Sequence, residues 1–185
     1  MSVPTPPAST EAAAPRSRAM DEVPALAAQA VEYLRMPRAA VPMTADDARA
    51  VVALMRLVSY PKGGALFREG DEHNAHHMLL LLEGDVAVDA GPADSVAISV
   101  LGPGSVLGEM SLSDGAPRSA SCTAMSPVLA AGLSRAGLER LINDKPQAAA
   151  RLLVALLHCT AERLRALSQQ LQMQAEVIAS QRLGA

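Results

Sequence analysis

Within "GEMSLSDGAPRSA", residues 108–120, a carboxylate (Glu109) and a guanidinium (Arg118) stand at opposite ends of one short segment. Small residues fill the interval: Ser111, Ser113, Gly115 and Ala116. The preceding "GPGSVL" reads as an approach strand, and Glu109–Leu112 as a helical turn. A helix start offers backbone N–H groups and the positive end of the peptide dipoles. Gly108 lets a ligand come close to that backbone. Arg118 adds a planar fork suited to phosphate, and Ser119 adds a hydroxyl and a further N–H. This is an anion site. Glu109 would repel a bare anion, so the ligand must also carry hydroxyl donors. A phosphate and a ribose held close together meet both demands: a nucleotide whose phosphate folds back on its sugar.

The flanking sequence supplies the elements that would hold these groups. From Tyr60 to Leu133, short apolar runs alternate with glycine-bearing turns: "ALFREGD", "HMLLLLEGDVAVDAG", "VAISVLGPGSVLGE", "SASCTAM" and "VLAAGLS". Many short strands with frequent glycine turns predict a β-roll or jelly-roll. Ahead of it, residues 1–20 are proline-rich without apolar periodicity and read as a disordered tail. Residues 21–43 read as a helix and linker, broken at Pro37 and Pro42. Thr44, with Asp47 three residues on, forms a capping-box pattern opening a second helix. Val51, Leu54, Met55 and Val58 follow at helical spacing.

The β region and its leading helix occupy 44–145, and 146–185 reads as a long C-terminal helix. Its seam of Leu153, Leu157, Thr160, Leu164, Leu167, Leu171, Gln174 and Ile178 is spaced 4-3-4-3-4-3-4, a heptad pattern. Leu152 and Leu156 widen the stripe near its start. The first half is expected to pack on its own domain and the second to meet a second copy in a homodimer. The fold class expected is α+β.

Composition narrows the function classes. Half of the 185 residues are hydrophobic but only 2% are aromatic, so the core must be Leu, Val, Ala and Met. A formal net charge of −3 argues against a basic nucleic-acid face. Cys122 and Cys159 match no zinc or redox spacing. There is no secretory h-region and no apolar run long enough to span a membrane, so a cytoplasmic protein without a membrane partner is expected.

The segment "GEMSLSDGAPRSA" resembles the phosphate-binding cassette of cyclic-nucleotide-binding domains: Gly-Glu-x-x-Leu, a gap, then Arg-(Ala/Ser/Thr)-Ala. "GGALFREGD", "LLLLEGDVAV" and "LGPGSVLGE" resemble the family's first strand and turn, its hairpin, and the approach to the cassette. The resemblance runs from about Thr44 to about Leu171. It implies that Glu109 accepts from the ribose 2′-hydroxyl, that Arg118 pairs with the cyclic phosphate, and that Ser119 donates to it. Gly108, Met110, Ser111 and Ala120 would line the sugar-phosphate. Thr160, Arg163 and Leu164 on the C-terminal helix would cover the base, with Arg163 stacked on the purine. Ser119 resembles the bacterial cyclic-AMP receptors, so cAMP is the expected regulatory ligand, with cGMP also compatible and no metal required.

Few residues follow the seam, so a helix-turn-helix module is not expected. The resemblance therefore implies a receptor that is not an enzyme and signals to an effector protein through a surface. Two readings compete. In one, the same fold serves as an interaction module with a vestigial pocket. In the other, a cupin-type metalloenzyme would use His73, His76, His77 and Glu83. Adjacent strand residues point to opposite faces, which disfavours His76 and His77 sharing a metal. A haem or iron-sulfur sensor would need a cysteine cluster or axial histidine that the sequence does not supply.

Overall fold

The computed structural model describes residues 17–36, 41–72, 75–89 and 99–183, with side chains described as far as Met173. The described residues begin with β1 (Arg18–Ala19), a 3-10 turn (Met20–Glu22) and α1 (Pro24–Arg35), which opens on a proline, a residue suited to the first helical position. Next come α2 (Ala45–Val52), β2 (Arg56–Tyr60), β3 (Ala65–Phe67), β4 (His77–Glu83) and β5 (Val86–Asp89). Then follow β6 (Ser99–Leu101), β7 (Val106–Leu107), α3 (Glu109–Asp114), β8 (Ser121–Ala124) and β9 (Val128–Ser134). Two helices close the chain, α4 (Arg135–Asp144) and α5 (Pro146–Leu183).

The strands form two antiparallel sheets, ordered β1-β2-β9-β4-β7 and β3-β8-β5-β6. This is the expected mixed fold, a β-roll flanked by helices. The "MLLLL" run of β4 explains the layering. Leu79 and Leu81 point between the sheets with Phe67, Leu107, Cys122 and Ala130. Met78, Leu80 and Leu82 point the other way, onto a helical layer containing Met20, Ala30, Met55, Leu138, Leu141 and Leu152. A strand buried on both faces must be apolar at successive positions rather than alternating.

Two local expectations change. Residues 18–20 belong to the fold: Arg18 and Ala19 pair with Leu57 and Arg56, and Met20 is buried in the helical layer. The expected tail over 1–20 thus overruns the first structured residues, and residues 1–16 lie outside those described. The helical spacing through Val58 also misleads. α2 ends at Val52, and Arg56–Tyr60 pairs with β9. The capping box at Thr44 is present: its Oγ accepts from the Asp47 N–H at 3.2 Å, and Asp47 accepts from the Thr44 N–H at 3.3 Å.

Among the described residues no helix is long and apolar enough to cross a membrane. No cluster of three His, Cys, Asp or Glu side chains could hold a metal there; His73 lies outside the described residues.

Because Leu80 is fully enclosed against the helices, Leu80→Ala should cost about 2–5 kcal/mol of unfolding free energy, measured by urea denaturation.

Candidate functional site

The buried polar side chains among the described residues are Glu109, Ser111 and Arg118, at 6%, 3% and 3% exposure. All three come from the segment singled out in sequence. Charged groups are almost never buried unless paired, and here the pairing is specific. Arg118 donates from Nη1 to the Gly108 carbonyl at 3.1 Å and from Nη2 to the His77 carbonyl at 2.7 Å. Its guanidinium lies 3.7 Å from the Phe67 ring centroid, a cation–π geometry. Burial draws its pKa below the ordinary guanidinium value, and neighbouring charges on Asp71 and Glu109 oppose that. It stays protonated near neutral pH.

Gly108 is the N-cap of α3 with φ of 74°. A Cβ there would collide with Arg118 Nη1 and stand 3.0 Å from two Phe67 ring carbons. Positive φ and the close approach of the arginine both demand glycine.

α3 is held at both ends by arginines from the C-terminal helices. Arg163 of α5 donates to Glu109 Oε1 at 2.6 Å and also reaches the Val106 carbonyl. Arg135, the first residue of α4, donates to the Ser111 carbonyl at 3.0 Å and approaches that of Leu112 at 3.4 Å. It occupies the negative end of the helix, beside the positive-φ Gly115, where a cation is favoured.

A cavity of about 110 Å³ lies against this cassette. Gly108, Glu109, Met110, Ser111, Arg118, Ser119 and Ala120 line it, as does Arg163. Thr160 and Leu164 do not join them. The Thr160 hydroxyl donates to the Leu156 carbonyl of its own helix at 3.0 Å, and Leu164 is 64% exposed. Arg163 itself lines the cavity through its contact with Glu109. Sequence reasoning did not single out Phe67, Val88, Ser99, Leu101, Leu107 and Cys122, which complete the wall. Phe67 had one available signal, as the chain's single phenylalanine. Burial pushes the Cys122 thiol up to about 11, so it is a neutral wall residue.

Residues 57–145 match the family model of the cyclic nucleotide-binding domain. The chain carries a domain of that family. It is 29% identical over 109 residues to the CRP-like cAMP-activated global transcriptional regulator of Mycobacterium tuberculosis, covering 58% of this chain and 48% of that protein. A cyclic nucleotide-binding domain from Methylobacillus flagellatus has 28% identity and a TM-score of 0.75, over 87% of this chain and 88% of the other. The catabolite activator protein of Thermus thermophilus has 30% identity and a TM-score of 0.58, over 70% and 59%. The chain spans about half the length of the Mycobacterium regulator. The matched residues include the whole of the buried cassette.

Beneath the pocket, His77 packs on Phe67 with ring centroids 5.3 Å apart. Burial first, then the Arg118 charge, hold its pKa down to about 4 from 6.5. The unfolded chain therefore binds the extra proton between those values and the native state does not. This contribution to stability is complete above pH 6.5 and is lost as pH falls toward about 4. Urea midpoints measured from about pH 7 down to about pH 4.5 should fall more steeply for the wild type than for His77→Leu.

Proposed function

We propose that this chain is a cyclic-nucleotide receptor that prefers cAMP and reports occupancy through the surface of α5. The observation that carries the reading is the coincidence of Glu109, Ser111 and Arg118 as buried polar side chains around one cavity. Glu109 would accept from the ribose 2′-hydroxyl. Arg118 and Ser119 would take the cyclic phosphate, assisted by the N–H groups at the start of α3. The preference for cAMP rests on Ser119 and on likeness to a regulator described as cAMP-activated; cGMP is the alternative ligand.

Arg163 closes the cavity onto Glu109. A ribose reaching that carboxylate must share it with Arg163 or displace it. Occupancy would then be felt directly by α5, a shift driven by differential affinity for two helix positions.

The outer face of α5 supports a protein-facing output. Leu157, Leu164 and Leu171 are 70%, 64% and 65% exposed, and Leu153 and Leu167 are 41% and 45% exposed. These are seam positions of the heptad, while Leu152 and Leu156 face the roll. An exposed apolar stripe at this spacing supports pairing with a second copy, or with an effector helix, in the manner of a coiled coil.

Calorimetric titration of nucleotide-stripped protein with cAMP and with cGMP tests the ligand. Saturable binding, tighter for cAMP, is expected. Arg118→Ala, checked for a cooperative thermal transition, should weaken it by about tenfold or more, since each charged hydrogen bond contributes about 1.5–3 kcal/mol. Absence of binding to either nucleotide would leave a vestigial pocket in an interaction module. For the output surface, light scattering should report a dimer that Leu157→Lys together with Leu164→Lys converts to monomer. A wild-type monomer would remove the dimer from the proposal.

A further inference from the structure

Three arginines hold the cassette. Arg118 and Arg163 line the cavity; Arg135 does not, and its side chain goes to the other end of α3. Nη2 donates to the Ser111 carbonyl at 3.0 Å and approaches the Leu112 carbonyl at 3.4 Å. Gly115, the C-cap of α3, leaves it the space: a Cβ there would stand 2.9 Å from Nη2 and 3.1 Å from Nη1.

This arginine occupies a position that its own helix disfavours. It is the first residue of α4, where the peptide dipoles already present positive charge and a cation is unfavourable. Capping does not require it, because the Ser134 hydroxyl accepts the Gly137 N–H at 3.1 Å. Among the described residues no carboxylate pairs with it. The favourable contacts of its charge are the carbonyls that close α3, at the negative end of that helix.

Its backbone supplies a second fixed point. The Arg135 N–H donates to the His76 carbonyl at 2.8 Å, and the next carbonyl along, that of His77, accepts from Arg118 Nη2 at 2.7 Å. One residue thus connects α3, which brings Glu109, Met110 and Ser111 to the cavity, with the strand end that holds Arg118. A ligand bonded by both Glu109 and Arg118 needs these side chains at a set separation, and misplacement by about 1 Å is costly.

We propose that Arg135 is a positioning residue for nucleotide binding. It acts through the Ser111 and Leu112 carbonyls rather than on the ligand, and sets where α3 presents Glu109 relative to Arg118. The inference rests on the receptor reading above.

Calorimetry with cAMP on the full chain compares the wild type with Arg135→Met, Arg135→Gln and Arg135→Lys. Arg135→Met removes the charge and the donors and should weaken binding about tenfold. Arg135→Gln, the milder change should the Met variant fail to fold, should weaken it about fivefold. Arg135→Lys keeps a cation within reach of one carbonyl and should stay within about threefold of the wild type. Amide hydrogen exchange without nucleotide gives a separate readout. The Leu112 and Gly115 N–H groups, bonded to the Gly108 and Ser111 carbonyls, should exchange about tenfold faster in the uncharged variants, while those of β4 and β9 keep their rates. Wild-type affinity in a folded Met or Gln variant, a Lys variant no tighter than Met, or weakened binding with α3 exchange unchanged would each overturn this role alone. Absence of binding by the wild type itself would overturn the receptor reading, and this role with it.

Discussion

A guanidinium at 3% exposure is the constraint around which the site is organised. An ion taken out of water is tolerated only where its donors and its charge are met. Arg118 is met by two backbone carbonyls and an aromatic face, contributed by α3's N-cap, β4 and β3. Its own backbone is tied to the turn after β3, through the Gly70 N–H to its carbonyl at 2.8 Å and its N–H to Asp71 at 3.1 Å. Each of these partners is thereby fixed in identity or position. Gly108 must lack a side chain, Phe67 must be aromatic, and β4 must begin where its first carbonyl meets the guanidinium.

The helices complete what the sheets begin. α3 is six residues long, too short to be stable on propensity alone. Tertiary contacts must hold it, and charged ones do so at each end: Arg163 at Glu109, and Arg135 at the carbonyls of Ser111 and Leu112. The main-chain N–H of Arg135 bonds the His76 carbonyl at 2.8 Å, one residue before the carbonyl that holds Arg118. Neighbouring peptide groups at the start of β4 thus anchor both Arg118 and the first turn of α4. The cassette, the start of β4 and the helical layer are thereby joined through adjacent peptide groups.

Much of the fold is legible because its signals are local. The all-apolar β4, the glycine turns and the Thr44 capping box each state their structure within a few residues. β2 is a different case. Leu57 faces the helical layer and Val58 packs partly between the sheets, so its apolar residues do not alternate cleanly, and together with Val51, Leu54 and Met55 they match a helical period. β1 has only two residues, and its pairing with β2 is a long-range event with no local signature. On α5 the first half packs through Leu152 and Leu156, while the heptad positions Leu153 and Leu157, expected to pack there too, are exposed, because spacing along a helix does not fix its rotation against the roll. Leu152 and Leu156 set that rotation, and it turns Arg163 to the cassette while Leu164 turns to solvent.

The carboxylate, the guanidinium and the glycine-led helix start are legible in the residues alone, because these types at this spacing are encoded within one continuous segment. The alternation of strands and helices, which depends on local period and turn residues, is legible there too. The partners of these groups come from folding. Arg118 rests on Phe67 and the His77 carbonyl, and Glu109 meets Arg163, across separations of 41 and 54 residues. Such contacts follow from how the sheets and helices close on one another, and no stretch of sequence records that closure locally.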